Sequence, residues 1–74
     1  MWWRLPMPKR DQKRMDAGKA TVAEIAAIRS DPGLLGMEDL ADAIYYLDGT
    51  LFLPTGTRKA AQMVRKEARK RGLV

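Results

Sequence analysis

Apolar residues recur at helical spacing in three places along this chain, and nowhere do they alternate at the two-residue period of a half-buried strand. The clearest stretch is "GMEDLADAIYYLDGT", residues 36–50, where Met37, Leu40, Ala41, Ile44 and Leu47 fall at steps of three and four. Glu38 and Asp39 sit in its first turn, where the helix dipole favours anions, and Gly49 is placed to supply a left-handed stop. This segment predicts the main core helix. Before it, "TVAEIAAIRSDPG" predicts a helix over 22–29. Thr21 and Glu24 have capping-box spacing, Val22, Ile25 and Ile28 share one side, and Ser30, Asp31, Pro32 and Gly33 end the element.

The third stripe is thinner. Ala61, Val64 and Ala68 mark the buried edge of a helix that starts near Thr55 or Thr57 and ends at Gly72 in the C′ position, with Leu73 turned back toward Ala68. Between the second and third helices, "TLFLP" reads as a buried, extended connector. Leu51, Phe52 and Leu53 are too few for a strand, and Pro54 removes a ladder hydrogen bond. Residues 1–19 carry Pro6 and Pro8 and, after them, only Met15 as a large apolar residue, so they read as an arm with at most a short helix over 9–16. The expected organisation is a flexible basic arm, 1–19, and a small helical domain, 20–74. The fold class is mainly α: a bundle of about three helices with a short extended connector and a flexible basic N-terminal arm.

Composition removes most chemistry from consideration. The 74 residues include no Cys, no His, no Asn and one Ser, Ser30, which excludes disulfide staples, the usual zinc ligands, thiol nucleophiles and a Ser-His triad. Asp39 and Asp42 lie three apart at a helix start, where carboxylates answer the dipole rather than perform acid-base work. No Gly-rich loop with a following Lys is present. The expectation is a non-enzymatic protein without cofactor or metal. The N-terminus lacks the apolar core of a signal peptide and no run approaches the ~18–20 apolar residues of a membrane span, so a cytoplasmic protein with no membrane partner is expected.

Charge then changes the picture. Residues 1–19 carry six Lys or Arg against two Asp, residues 20–57 carry Arg29 against six carboxylates, and residues 58–74 carry seven Lys or Arg against Glu67. Two basic ends flank an acidic middle. They can fold back on it or reach outward to a polyanion. At 100° per residue, Arg58, Gln62, Arg65 and Arg69 form one stripe of the last helix and Lys59, Lys66 and Lys70 a second beside it, making one broad cationic face. Like charges at this density repel one another unless an anion compensates. These seven residues are the candidate nucleic-acid or partner-binding surface.

The arm adds Trp2, Trp3, Arg4, Lys9, Arg10, Lys13 and Arg14 as candidate contacts, because Trp and Arg combine large apolar area with hydrogen-bond donors and are enriched in binding hot spots. Closure of the Trp pair over the domain core is the structural alternative. Tyr45 and Tyr46 are adjacent on one helix and point about 100° apart, so one can join the core while the other stays out.

"LADAI" at 40–44 and "TGTRKAAQMVRKEARKRGLV" at 55–74 together resemble the second and third helices of winged helix-turn-helix DNA-binding proteins, with the ten residues "YYLDGTLFLP" between them. The resemblance implies Thr57, Arg58, Lys59 and Gln62 at the base-facing start of a recognition helix and Arg65 and Arg69 at phosphate. The expected function is regulation of transcription or a related nucleoprotein process, through nucleic acid bound by the basic C-terminal helix. The alternative is a phage- or mobile-element-type inhibitor or adaptor that docks directly on a large nucleic-acid-processing enzyme such as RNA polymerase. The sequence leaves the oligomeric state open.

Overall fold

Helix α1 runs over Lys9–Ile28, far longer than the apolar pattern predicts. The computed structural model describes residues 9–73. Beyond α1 it contains a 3-10 turn over Pro32–Leu34, α2 over Met37–Asp48 and α3 over Arg58–Lys70. Among the described residues there is no strand, and the fold is mainly α with three helices. Trp2, Trp3 and Arg4 lie outside the described residues.

Residues 9–19, expected within the arm, are the first half of α1. Their Lys, Arg, Gln, Met and Ala residues favour helix, and Gln12 Nε2 donates to Asp16 Oδ1 at 3.0 Å one turn on. The inward stripe is Asp11, Met15, Gly18, Val22 and Ile25, spaced four, three, four and three. Thr21 is consequently no N-cap: it lies inside the helix, and its hydroxyl donates back to the Ala17 carbonyl at 2.9 Å.

Gly18 is the reason the stripe escapes a hydrophobicity reading. It is buried at the crossing of α1 and α2, where a Cβ would stand 2.1 Å from the Asp42 carbonyl oxygen and 2.7 Å from Tyr46 Cβ. The two backbones meet there directly. Above the crossing, Arg14 Nε reaches Asp42 Oδ1 at 3.0 Å while its guanidinium lies 4.4 Å over the Tyr45 ring. Tyr46, one residue on, is buried.

Helix α2 supplies the centre of the core through Leu40, Ala43, Ile44, Tyr46 and Leu47, joined by Val22 and Ile25 of α1 and by Ala60, Ala61, Val64 and Ala68 of α3. Three expected core residues stay outside it: Ile28 and Met37 are exposed, each at the end of its helix, and Ala41 is only half-buried. Gly49 does not take the left-handed conformation (φ −89°); α2 ends instead with the Thr50 hydroxyl donating to the Tyr46 carbonyl at 2.7 Å. The left-handed position falls at the end of α1, on Arg29 (φ 53°).

A non-Gly residue held there costs roughly 1–2 kcal/mol, and Gly would recover part of that against its larger unfolded-state entropy. Arg29→Gly is therefore expected to raise stability by about 0.5–1 kcal/mol in urea denaturation. A loss of stability would show that the Arg29 side chain contributes more than its backbone costs.

The end of α3 follows the sequence expectation. Gly72 has φ 80°, Leu73 N–H donates to Ala68 O at 2.8 Å and Gly72 N–H to Arg69 O at 3.1 Å, the paired bonds of a Schellman motif, and Leu73 packs against the core.

Candidate nucleic-acid interface

Helix α3 turns only its smallest residues inward. Ala60, Ala61, Val64 and Ala68 are buried, and Arg58, Lys59, Gln62, Lys66, Arg69 and Lys70 are exposed on the opposite side. Small inner side chains allow close approach to the core while the long basic ones stay in water. Within the described residues, no carboxylate comes within 4.0 Å of Arg58, Lys59, Lys66, Arg69 or Lys70.

The other two basic residues of this segment are engaged. Arg65 reaches Asp48 Oδ1 at 3.0 Å on α2, in an exposed pair. Arg71 takes the only acid of α3, its Nε donating to Glu67 Oε2 at 2.7 Å, and spans to the 3-10 turn with Nη1 on Leu35 O (2.7 Å) and Nη2 on Gly33 O (2.8 Å). Arg71 is a structural clamp. The surface left for an anion is thus the outer face, with Arg65 at its border.

The electrostatics at the start of α3 point the same way. Its first turn holds no acidic residue, and it begins with Arg58 and Lys59, so the positive end of the helix dipole adds to two side-chain cations instead of being offset. Thr57 does not cap it: the Thr57 hydroxyl donates to Pro54 O at 2.6 Å, closing a turn through Gly56 (φ 87°). Thr57 is also buried, so the base-facing role that the winged-helix resemblance implies for it is not open to its side chain.

The candidate residues of the first segment are distributed differently. Arg10, Lys13 and Arg14 line one groove with Glu38, Asp39 and Asp42, so this half of α1 faces the acidic first turn of α2. Lys9 and Lys13 are exposed, and Arg10 comes no nearer than 3.9 Å to Asp11. The structure brings the seven α3 residues together as one surface and does not join the α1 cations to it.

Between α2 and α3 the expectation of a buried connector is overturned. Leu51 is 93% and Phe52 89% exposed, and only Leu53 packs against the core. Once Thr50 has closed α2 and Pro54 has opened the turn into α3, the three residues between form a bulge with one side chain directed inward.

No cluster of His, Cys, Asp or Glu suited to a metal ion occurs among the described residues, and none of their helices is long and apolar enough to cross a membrane. Compared with protein-family models, curated proteins and solved structures, the chain shows no significant match.

Proposed function

We propose that the protein is a non-enzymatic binder of nucleic acid that contacts phosphate through the outer face of α3, and that it acts as a small regulator in transcription or a related nucleoprotein process. One observation carries the reading: among the described residues, five exposed cations share a single helix face with no carboxylate within 4.0 Å, while Asp42, Asp48 and Glu67 are taken up by Arg14, Arg65 and Arg71. Such a face is self-repelling in isolation and becomes favourable when a polyanion releases its counterions to it. The winged-helix resemblance supplies one orientation, with Arg58, Lys59 and Gln62 toward the bases and Arg65 and Arg69 toward phosphate.

Anisotropy of a labelled duplex of about 20 base pairs, titrated at several salt concentrations, tests the reading. Five phosphate contacts give a slope of log K against log[salt] of about −4.5 at ~0.9 per contact. The triple variant Arg58→Gln, Lys66→Gln, Arg69→Gln removes only exposed, unpaired charges and relieves repulsion within the face, so its helicity and melting point are expected to hold or rise. Its affinity is expected to fall at least about tenfold, with the slope shallower by about 2.7. A slope that the triple variant leaves unchanged refutes the assignment to α3.

A second reading has its own observation. Leu34 and Met37 are exposed next to Glu38 and Asp39, a mixed apolar and acidic patch of the kind that docks on a basic protein surface. The partner would be a large nucleic-acid-processing enzyme such as RNA polymerase. Capture of purified polymerase that survives nuclease treatment and is lost in Met37→Asp would favour it.

A further inference from the structure

The two most exposed large apolar residues described in the structure, Leu51 and Phe52, are neighbours, and they stand at the threshold of the cationic helix. Residues 51–56 and Arg58 line one shallow hollow, so the tip and the first cation of α3 share a surface. The tip is held at both feet. On one side Thr50 Oγ1 bonds Tyr46 O, on the other Thr57 closes onto Pro54 O through both its amide (3.2 Å) and its hydroxyl, and Leu53 is seated against the core. A planar ring is thereby presented outward from a fixed base.

The occupant of this tip must offer an apolar interior behind an anionic skin. The residues preceding α1 do not qualify, since Arg4, together with Lys9 and Arg10 at the start of α1 itself, would bring like charge to Arg58, and a second copy of α3 would do the same. A nucleic-acid duplex does qualify, because its stacked bases lie behind phosphates that the α3 face can neutralise. One aromatic beside one aliphatic residue is a wedge and not a stacking platform, which would need several aromatic rings in series.

We infer that Leu51 and Phe52 enter a base step of a bound duplex, unstacking and bending it, while α3 holds the adjoining phosphates. This inference rests on the nucleic-acid reading above and adds the mode of engagement: a deformable duplex is preferred over a stiff one, because opening a flexible pyrimidine-purine step costs less.

The test uses the full chain and a duplex of about 20 base pairs carrying a central TA step and a fluorophore at each end, so that bending brings the ends together and raises energy transfer. Wild type is expected to bind with the salt slope given above and to raise transfer. Phe52→Ala and Leu51→Ala remove exposed side chains, so an unchanged melting point is expected for both. Phe52→Ala is expected to abolish the rise in transfer and to weaken binding about tenfold with the salt slope retained, and Phe52→Trp to preserve both. Binding by wild type without any rise in transfer overturns the wedge and leaves the α3 reading standing. Absence of wild-type binding to duplex overturns both. Phe52-dependent binding to vesicles containing phosphatidylserine, with duplex binding indifferent to Phe52, overturns the wedge in favour of a lipid surface.

Discussion

Gly18→Ala is expected to destabilise the protein by about 2–3 kcal/mol, against the sign that helix propensity alone gives. In the interior of an exposed helix, replacing Gly by Ala gains roughly 1 kcal/mol. Here the added methyl would lie 2.1 Å from the Asp42 carbonyl oxygen and 2.8 Å from its carbon, both backbone atoms of a neighbouring helix that no side-chain rotation can clear. The helices must separate at their crossing, which loosens Tyr46 and draws Arg14 off Asp42. For a domain whose total stability is about 4–11 kcal/mol, at roughly 0.05–0.15 per residue, the loss lowers the melting temperature by roughly 10–20 °C. Thermal unfolding followed by circular dichroism measures it. A variant as stable as wild type would mean that α1 and α2 do not approach as described.

Arg71→Ala is expected to cost about 2 kcal/mol, the second largest effect. One side chain satisfies the Glu67 carboxylate and the carbonyls of Leu35 and Gly33, tying the last turn of α3 to the segment between α1 and α2. Its side chain is only 21% exposed and that of Glu67 16%, so screening by water is limited and removal leaves a carboxylate without its partner. Arg71→Lys is expected to recover less than half, because an ammonium is a point charge and cannot fork onto three acceptors. Urea midpoints of the two variants against wild type read this directly. Equal stability of Arg71→Lys and wild type would reduce the clamp to a simple charge.

These two residues also mark where the sequence is readable and where it is not. Helix α2 and the outward face of α3 follow from apolar spacing and charge, and Gly72 with Leu73 announces the C-terminal stop. The first half of α1 is hidden because its contact residue is a glycine. A residue with no side chain contributes nothing to a hydrophobic stripe, although here it lets the α1 and α2 backbones meet. Thr21 and Glu24 mislead for a related reason: capping-box spacing occurs inside a helix as readily as at its start, and only the continuity of residues 9–20 decides. Leu51 and Phe52 are apolar enough to suggest burial, but a chain pinned at Thr50 and Pro54 has one inward position between them, and Leu53 takes it. Of the basic residues, their number on α3 is legible, whereas the diversion of Arg65 and Arg71 into pairs depends on which carboxylates the fold brings near.

The alanine edge of α3 has a thermodynamic corollary. A helix anchored by methyl groups gains little from burial, and its outer charges push on one another with a force that dissolved ions weaken. The same ions weaken attachment to a polyanion. Ionic strength therefore moves the integrity of this helix and its grip on a ligand in opposite directions, and the dilute conditions that favour capture are those in which the free protein gains most from being captured.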